Sequence, residues 1–244
     1  KYASNPIITY NTNDYNTHHA GPPYINIANK IGSKYYAPAQ EGVSSGVFNN
    51  ITLYESTDLI NWTYNSKIIS NEDGAWDEAY LLHPSVIKIG VTYYLYYSAK
   101  NAANKHQVGI ATSTDFLTWT KHPSNPVYST DGNVGPVCVI LIGATYFMYY
   151  WNRLTANNGL INYATSPDGV TWTYGGSAMP RIAGEWDYNS AILDPWVIQR
   201  SDGAYEMFYT TYRSLDGILQ KIGYATSWNG VKWYKHNGAI IEAG

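Results

Sequence analysis

A chain of 244 residues, 45% of them hydrophobic, has enough apolar surface for a sizeable core, and an all-β domain of this length can be one unit. Charged residues make up only 14% and the net charge is −3 with no long run of one sign, which argues against a phosphate-tracking nucleic-acid surface. No apolar stretch approaches the ~18 residues of a membrane-spanning helix, and a lone cysteine can build neither a disulfide framework nor a cysteine-based metal centre. That residue, Cys138, lies in the run Val137-Cys138-Val139-Ile140-Leu141-Ile142 and reads as a small buried hydrophobe. The chain opens at Lys1 with neither Met nor a signal-like segment, as expected of a mature or excised piece. Low charge and the lack of cysteine pairs suit an extracellular protein. Aromatic residues reach 16%, led by 25 Tyr and 9 Trp, which suits a neutral polar ligand such as a sugar and equally suits strands.

Residues 1–17 read as an irregular lead-in or closing strand. Asn5-Pro6-Ile7-Ile8 is similar to Asn125-Pro126-Val127-Tyr128 further on. Four units follow, at approximately 18–70, 74–128, 131–180 and 184–241, within a single domain covering 1–244. Each begins with a Pro-led apolar strand: Pro23-Tyr24-Ile25, Pro84-Ser85-Val86-Ile87, Pro136-Val137-Cys138-Val139 and Pro195-Trp196-Val197-Ile198. A turn and an aromatic strand come next, such as Tyr93-Tyr94-Leu95-Tyr96-Tyr97 or Tyr205-Glu206-Met207-Phe208-Tyr209. A third strand ends in the Ser of a repeated frame, and a fourth opens at its Trp. Short β-branched and aromatic runs punctuated by Gly, Asn and Asp are strand and hairpin signals, and no helical period is sustained anywhere.

The repeated frame is Ser-x-Asp/Asn-x-x-x-Trp. It runs from Ser56 to Trp62, Ser113 to Trp119, Ser166 to Trp172 and Ser227 to Trp233. A short acceptor side chain two residues after a Ser is turn chemistry, because it can take hydrogen bonds from nearby backbone N–H groups and tolerates left-handed geometry. The four copies are therefore read as structural turns. Four short antiparallel strands repeated in tandem every ~50–60 residues describe the blades of a β-propeller, with the Pro-led strand innermost.

The Pro-led inner strand, the Tyr-rich second strand, Ala-Thr-Ser and the Ser-x-Asp-x-x-x-Trp frame together resemble the five-bladed propellers of glycoside hydrolase family 43 and relatives, among them arabinanases, β-xylosidases, invertase-like enzymes and mannoside phosphorylases. Gly74-Ala75-Trp76-Asp77 and Gly184-Glu185-Trp186-Asp187 are similar to the inter-blade loops of that group. The resemblance implies five blades where four are visible. It also implies an Asp in the first blade's Asp-Pro pair, an Asp in the second blade and a Glu before Gly-Pro in the third. The corresponding stretches read His19-Ala20-Gly21-Pro22-Pro23, His83-Pro84-Ser85 and Asn133-Val134-Gly135-Pro136, so the catalytic motifs are eroded. Asp194-Pro195 in the fourth unit keeps the acid-Pro pairing.

Ligands of propellers gather where the loops between strands two and three meet the entries to strand one. The loops are read as 38–50, 98–107, 152–159 and 212–220, which offer Glu41, Lys100, Lys105, His106, Arg153 and Arg213. The entries offer His18, His19, Glu78, His83, Asp131 and Asp194. Two readings stay open. In a glycosidase that inverts configuration, Asp194 would act as base and Glu78 as acid, facing each other across the axis; His19, Glu41, His83, Trp151, Arg153, Trp196 and Arg213 would bind substrate. In a glycan-binding propeller without turnover, such as a receptor-binding domain of a phage tail protein, Trp151, Trp196 and Trp228 would line the sugar site. A sialidase fits less well, since its Asp-box carries an extra residue that Ser166–Trp172 lacks. No cofactor is called for, although His18, His19 and His83 could gather a structural metal ion near the axis. The expected partner is a carbohydrate; neither nucleic acid nor membrane is indicated, and no protein partner is suggested.

Overall fold

The computed structural model describes residues 19–20, 29–44, 47–153, 159–212 and 221–242. These residues form four antiparallel sheets and no helix, so no helix is long and apolar enough to cross a membrane. The first blade holds β1 (His19–Ala20), β2 (Lys30–Ile31), β3 (Lys34–Ser44), β4 (Val47–Ser56) and β5 (Thr63–Ser70), in the order β1-β3-β4-β5 with β2 also on β3. The second runs β6 (Tyr80–Ile89), β7 (Thr92–Lys100), β8 (His106–Ser113) and β9 (Thr120–Lys121). The third runs β10 (Asn133–Ile142), β11 (Thr145–Arg153), β12 (Gly159–Ser166) and β13 (Thr173–Met179). The fourth runs β14 (Ala191–Gln199), β15 (Tyr205–Tyr212), β16 (Lys221–Ser227) and β17 (Tyr234–Lys235), with β18 (Ile241–Glu242) also on β16. These are the four tandem blades expected from the repeat. A fifth blade is not among the described residues, and the expected lead-in and Pro23-led strand lie outside them.

The chain divides into two compact units, residues 1–126 and 127–244, each carrying two blades. Each unit has its own core, because a blade is apolar on both faces and must cover them. In the first, Tyr36, Ile51 and Leu53 of one blade pack with Leu81, Leu95, Tyr97 and Ala111 of the next. In the second, Tyr149, Ile161 and Met179 pack with Ile192, Val197, Met207 and Tyr209. Cys138 belongs to this second core, as expected. Its Sγ accepts the Val197 N–H at 3.3 Å, tying β10 to β14, and burial pushes its thiol up to about 11.

The Ser-x-Asp/Asn frame makes one turn four times. In the third blade Ser166 Oγ accepts from the N–H of Asp168 and Gly169, and Asp168 Oδ1 accepts from Val170 and Thr171, at 2.8–3.2 Å. Ser56, Ser113 and Ser227 with Asp58, Asp115 and Asn229 repeat the pattern. The residue after the Asp or Asn is left-handed every time, at Leu59, Phe116, Gly169 and Gly230, with φ between 64° and 76°. Two of the four are not glycine, so the side-chain hydrogen bonds are holding a backbone that an L-residue disfavours. The strand after each frame begins one residue past its Trp. Trp119 and Trp233 are buried, whereas Trp62 and Trp172 are only partly covered.

The expected loop at 38–50 is mostly strand. β3 continues to Ser44, kinked by irregularities in its pairing with β4 around Gly42, and Glu41 pairs with Ala20 and Asn50. Nor do the Pro residues open the inner strands. β6, β10 and β14 begin earlier and break their pairing at Leu82/Ser85, Gly135/Val137 and Leu193/Trp196. A proline has no N–H for the ladder, so inside a sheet it sits at a bulge, and the strand resumes beyond it.

Candidate active site

The bulges put chemistry where a regular strand would put packing. In β6 the residue ahead of the proline is His83, with φ 54°; in β14 it is Asp194, with φ 51°. A residue before proline is normally held extended, and a non-glycine side chain in left-handed geometry is strained. Each of these two residues has left its ladder, so its side chain departs from the regular alternation of the strand.

Asp194 is largely withdrawn from water, and that burial raises its pKa above the ordinary carboxylate range, opposed by a hydrogen bond from the Thr210 hydroxyl. Thr210 lies on β15, paired with Leu193. In the adjacent blade of the same unit, Gly159 packs on Leu193, where an added Cβ would come within 2.6 Å of Leu193 Cδ2. Gly159 pairs with Arg153. The guanidinium of Arg153 lies 5.2 Å from the Trp151 ring centre, and the indole also lies on Gly135, where an added Cβ would meet it at 2.1 Å. Arg153 and Asp194 therefore belong to the same end of neighbouring blades. Trp151, buried and covered, serves as the seat for Arg153 and not as an open sugar platform. Trp196 is partly buried against the core of its unit. Trp228 is exposed, but it follows Ser227, which pairs with Tyr205 at the far end of β15, ~16 Å along the strand from Thr210.

The first unit gathers a second group of polar side chains at the matching end of its blades. Gln40 Oε1 accepts the backbone N–H of His83 at 2.9 Å, linking β3 to the bulge in β6. Burial, assisted by the nearby His106, lowers the His83 imidazole to about 4, so the ring is neutral at physiological pH. Glu41 is buried, and loss of solvent raises its carboxyl despite the opposing charge of Lys67. The Lys100 ammonium sits 4.5 Å from the Tyr80 ring centre. Glu78, expected as the acid, spends both oxygens on backbone: Oε2 accepts from Gly74 at 3.0 Å and Oε1 from Ala102 at 2.9 Å. That is the work of a loop clamp. Val134, at the position where the resemblance implies a Glu, is fully buried.

Arg213 and His18 lie outside the described residues, as does the side chain of His19. Among the described residues no three His, Cys, Asp or Glu side chains are gathered as a metal ion would require. Thr210, Gln40 and Ser98 were not singled out by sequence reasoning. Counting along the second strand from its first Tyr would have found them, since they share one register position with Trp151.

The sequence model of glycoside hydrolase family 130, described as beta-1,4-mannooligosaccharide phosphorylase, matches residues 25–189. No curated protein matches the chain. Among solved structures, the β-1,2-mannobiose phosphorylase of Listeria innocua, in complex with β-1,2-mannobiose, is similar at TM-score 0.77 and 14% identity, over 98% of this chain and 83% of that one. A structure reported with the finding that family 130 mannoside phosphorylases include hydrolases targeting β-1,2 mannosidic linkages in Candida mannan gives 0.72 and 16%, over 99% and 80%. The endo-arabinase of Bacteroides thetaiotaomicron gives 0.69 and 18%, over 86% and 77%. At these identities the structural likeness establishes the fold, the glycoside-hydrolase-like β-propeller expected from the sequence.

Proposed function

The chain belongs to glycoside hydrolase family 130, and from that membership we propose that it cleaves the glycosidic bond of a manno-oligosaccharide, with Asp194 transferring the proton. The observation that carries this reading is the environment of Asp194, a carboxyl on a strained bulge whose pKa is raised by burial. A group that protonates a departing glycosidic oxygen must still hold its proton near working pH, and shielding from water moves a carboxyl in that direction. Phosphorolysis demands less of the protein than hydrolysis, because phosphate arrives as a charged nucleophile and needs no base. One of its oxygens bonds to the anomeric carbon as the bond to the glycosidic oxygen breaks, and that oxygen takes the proton of Asp194. Arg153, seated on Trp151, offers a guanidinium suited to orienting the anion.

Inverting hydrolysis is the second reading, favoured by the likeness to a structure reported with the finding that family 130 includes hydrolases; water, unlike phosphate, then needs a carboxylate base. The test is incubation with β-1,2- and β-1,4-linked manno-oligosaccharides, with and without inorganic phosphate. Mannose 1-phosphate formed only with phosphate supports phosphorolysis, and free mannose released without it supports hydrolysis. Oligosaccharide binding with no product under either condition overturns both, in favour of a glycan-binding propeller.

A further inference from the structure

The fourth blade places one hydroxyl against one strained carboxyl, and the second blade keeps a hydroxyl at the same place without the acid. β14 leaves its ladder after the pair Leu193–Thr210 and rejoins it at Trp196–Phe208, so Thr210 is the last β15 residue paired before Asp194 swings out. In the second blade the last pair before the bulge is Leu82–Ser98, and His83 swings out with nearly the same φ. Ser98 is fully buried, and its Oγ has no hydrogen-bond partner among the described residues. A buried hydroxyl without a partner is costly, which marks the position as one that a repeated design fills with a hydroxyl for use by the residue ahead of the proline. In the third blade the same two positions are Gly135 and Trp151, packed on each other with neither a carboxyl nor a hydroxyl.

We propose that Thr210 is the positioning residue for Asp194, its hydroxyl holding one carboxyl oxygen so that the other faces the substrate. This rests on the reading of Asp194 as the proton-transferring group. The bulge removes the ladder hydrogen bonds that fix neighbouring residues, so a side-chain anchor has to supply the orientation that the backbone no longer does. When the proton leaves, the same hydroxyl donates to the new carboxylate and stabilises it.

The test reads Asp194 directly. The 13C carboxyl resonance of Asp194 is titrated in the wild type, Thr210→Val and Thr210→Ser, and kcat and KM for mannoside cleavage are measured on the same proteins. Thr210→Val moves the midpoint upward and lowers kcat about tenfold with little change in KM, and Thr210→Ser restores both. An unchanged midpoint in Thr210→Val, or a Thr210→Ser variant as impaired as Thr210→Val, overturns the proposal. An Asp194→Asn variant that still turns over substrate refutes the catalytic reading alone, and the titration still decides whether Thr210 anchors the carboxyl. Should Thr210→Val not fold, the second blade provides the control: the carboxyl introduced by His83→Asp titrates lower with Ser98 present than in the His83→Asp/Ser98→Ala double variant. Equal midpoints there sink the idea that this position anchors an acid.

Discussion

Lys235 Nζ lies 3.0 Å from Asp187 Oδ1, with the carboxylate fully buried and the ammonium nearly so. Tyr209 donates its hydroxyl to the other oxygen of Asp187 at 3.1 Å, and Glu185 adds a second contact to Lys235 at 2.7 Å. The first unit repeats the arrangement less deeply, with Lys121 at 2.7 Å from the buried Asp77 but itself partly exposed. These pairs pin the Trp-Asp inter-blade loops beneath the outer strands. Breaking a buried pair by removing one partner strands the other charge, at a cost of ~3–5 kcal/mol. Asp187→Asn is expected to lower the urea midpoint severely, and Asp77→Asn to do so by less, because water can reach Lys121. Equal losses from the two variants would contradict this account.

The repeated turns make the fold acid-sensitive in a defined window. Backbone N–H groups donating to Asp115 and Asp168 hold both carboxyls down to about 2, and Asp58 is lowered by the same contacts. A carboxyl with a depressed folded pKa stabilises the fold above its unfolded value, ~3.9, and that contribution fades as pH falls toward the folded value. The fourth turn already uses Asn229, whose amide oxygen accepts from Val231 and Lys232 at 3.0 Å without titrating. Replacing Asp58, Asp115 and Asp168 together by Asn should flatten the fall in Tm between about pH 4 and pH 2. A curve as steep as that of the wild type would show that other carboxyls govern acid unfolding.

The repeat was legible because its turn is made by local side chains. Ser, Asp and Trp at fixed spacing close the same hydrogen bonds wherever they occur, so counting residues located all four blades. Strand limits were harder to read, since the proline that seemed to open each inner strand sits at a bulge within it. The bulge also governed the site. Asp194 stood out by its proline, whereas Thr210 is marked only by its count along the second strand from Tyr205, and cross-strand register brings the two together. Glu78 was attractive as an acid until its oxygens proved to be held by Gly74 and Ala102. Trp151 likewise reads as a sugar platform until Gly135, small enough for the indole to lie on, covers it.

Close packing behind the loop latches makes two glycines sensitive for steric reasons. An added Cβ at Gly223 would come within 2.2 Å of Tyr209 Cζ, and Tyr209 cannot retreat without releasing Asp187. At Gly109 the obstacle is the edge of Trp76, at 2.4 Å. Overpacking of this sort costs ~1–3 kcal/mol, so Gly223→Ala and Gly109→Ala should each lower the thermal midpoint clearly. Gly143→Ala is the contrasting case, with open space around it and only its φ of 64° to oppose the methyl group. A Gly223→Ala protein as stable as Gly143→Ala would mean that the tyrosine yields freely.

Asp194 should trade stability against activity, and the sign follows from its raised pKa. A carboxyl raised in the folded state favours folding fully below its unfolded pKa, ~3.9, and that advantage is lost as pH climbs through the folded value. At neutral pH the folded state is therefore penalised at this residue, whether it holds a proton that the unfolded chain releases or ionises where its surroundings disfavour charge. Asparagine has the same shape, tolerates the left-handed backbone that residue 194 adopts, and never ionises. Asp194→Asn should accordingly raise Tm at pH 7, lose that advantage below pH ~4, and abolish cleavage of manno-oligosaccharides while leaving their binding intact. The alkaline limb of the wild-type rate profile, where Asp194 loses the proton it must donate, should also lie above the ordinary carboxylate range. A variant less stable than the wild type at pH 7 would mean that the ionised carboxylate has a stabilising partner stronger than the Thr210 hydroxyl, and the assignment of Asp194 as a proton carrier would fall with it.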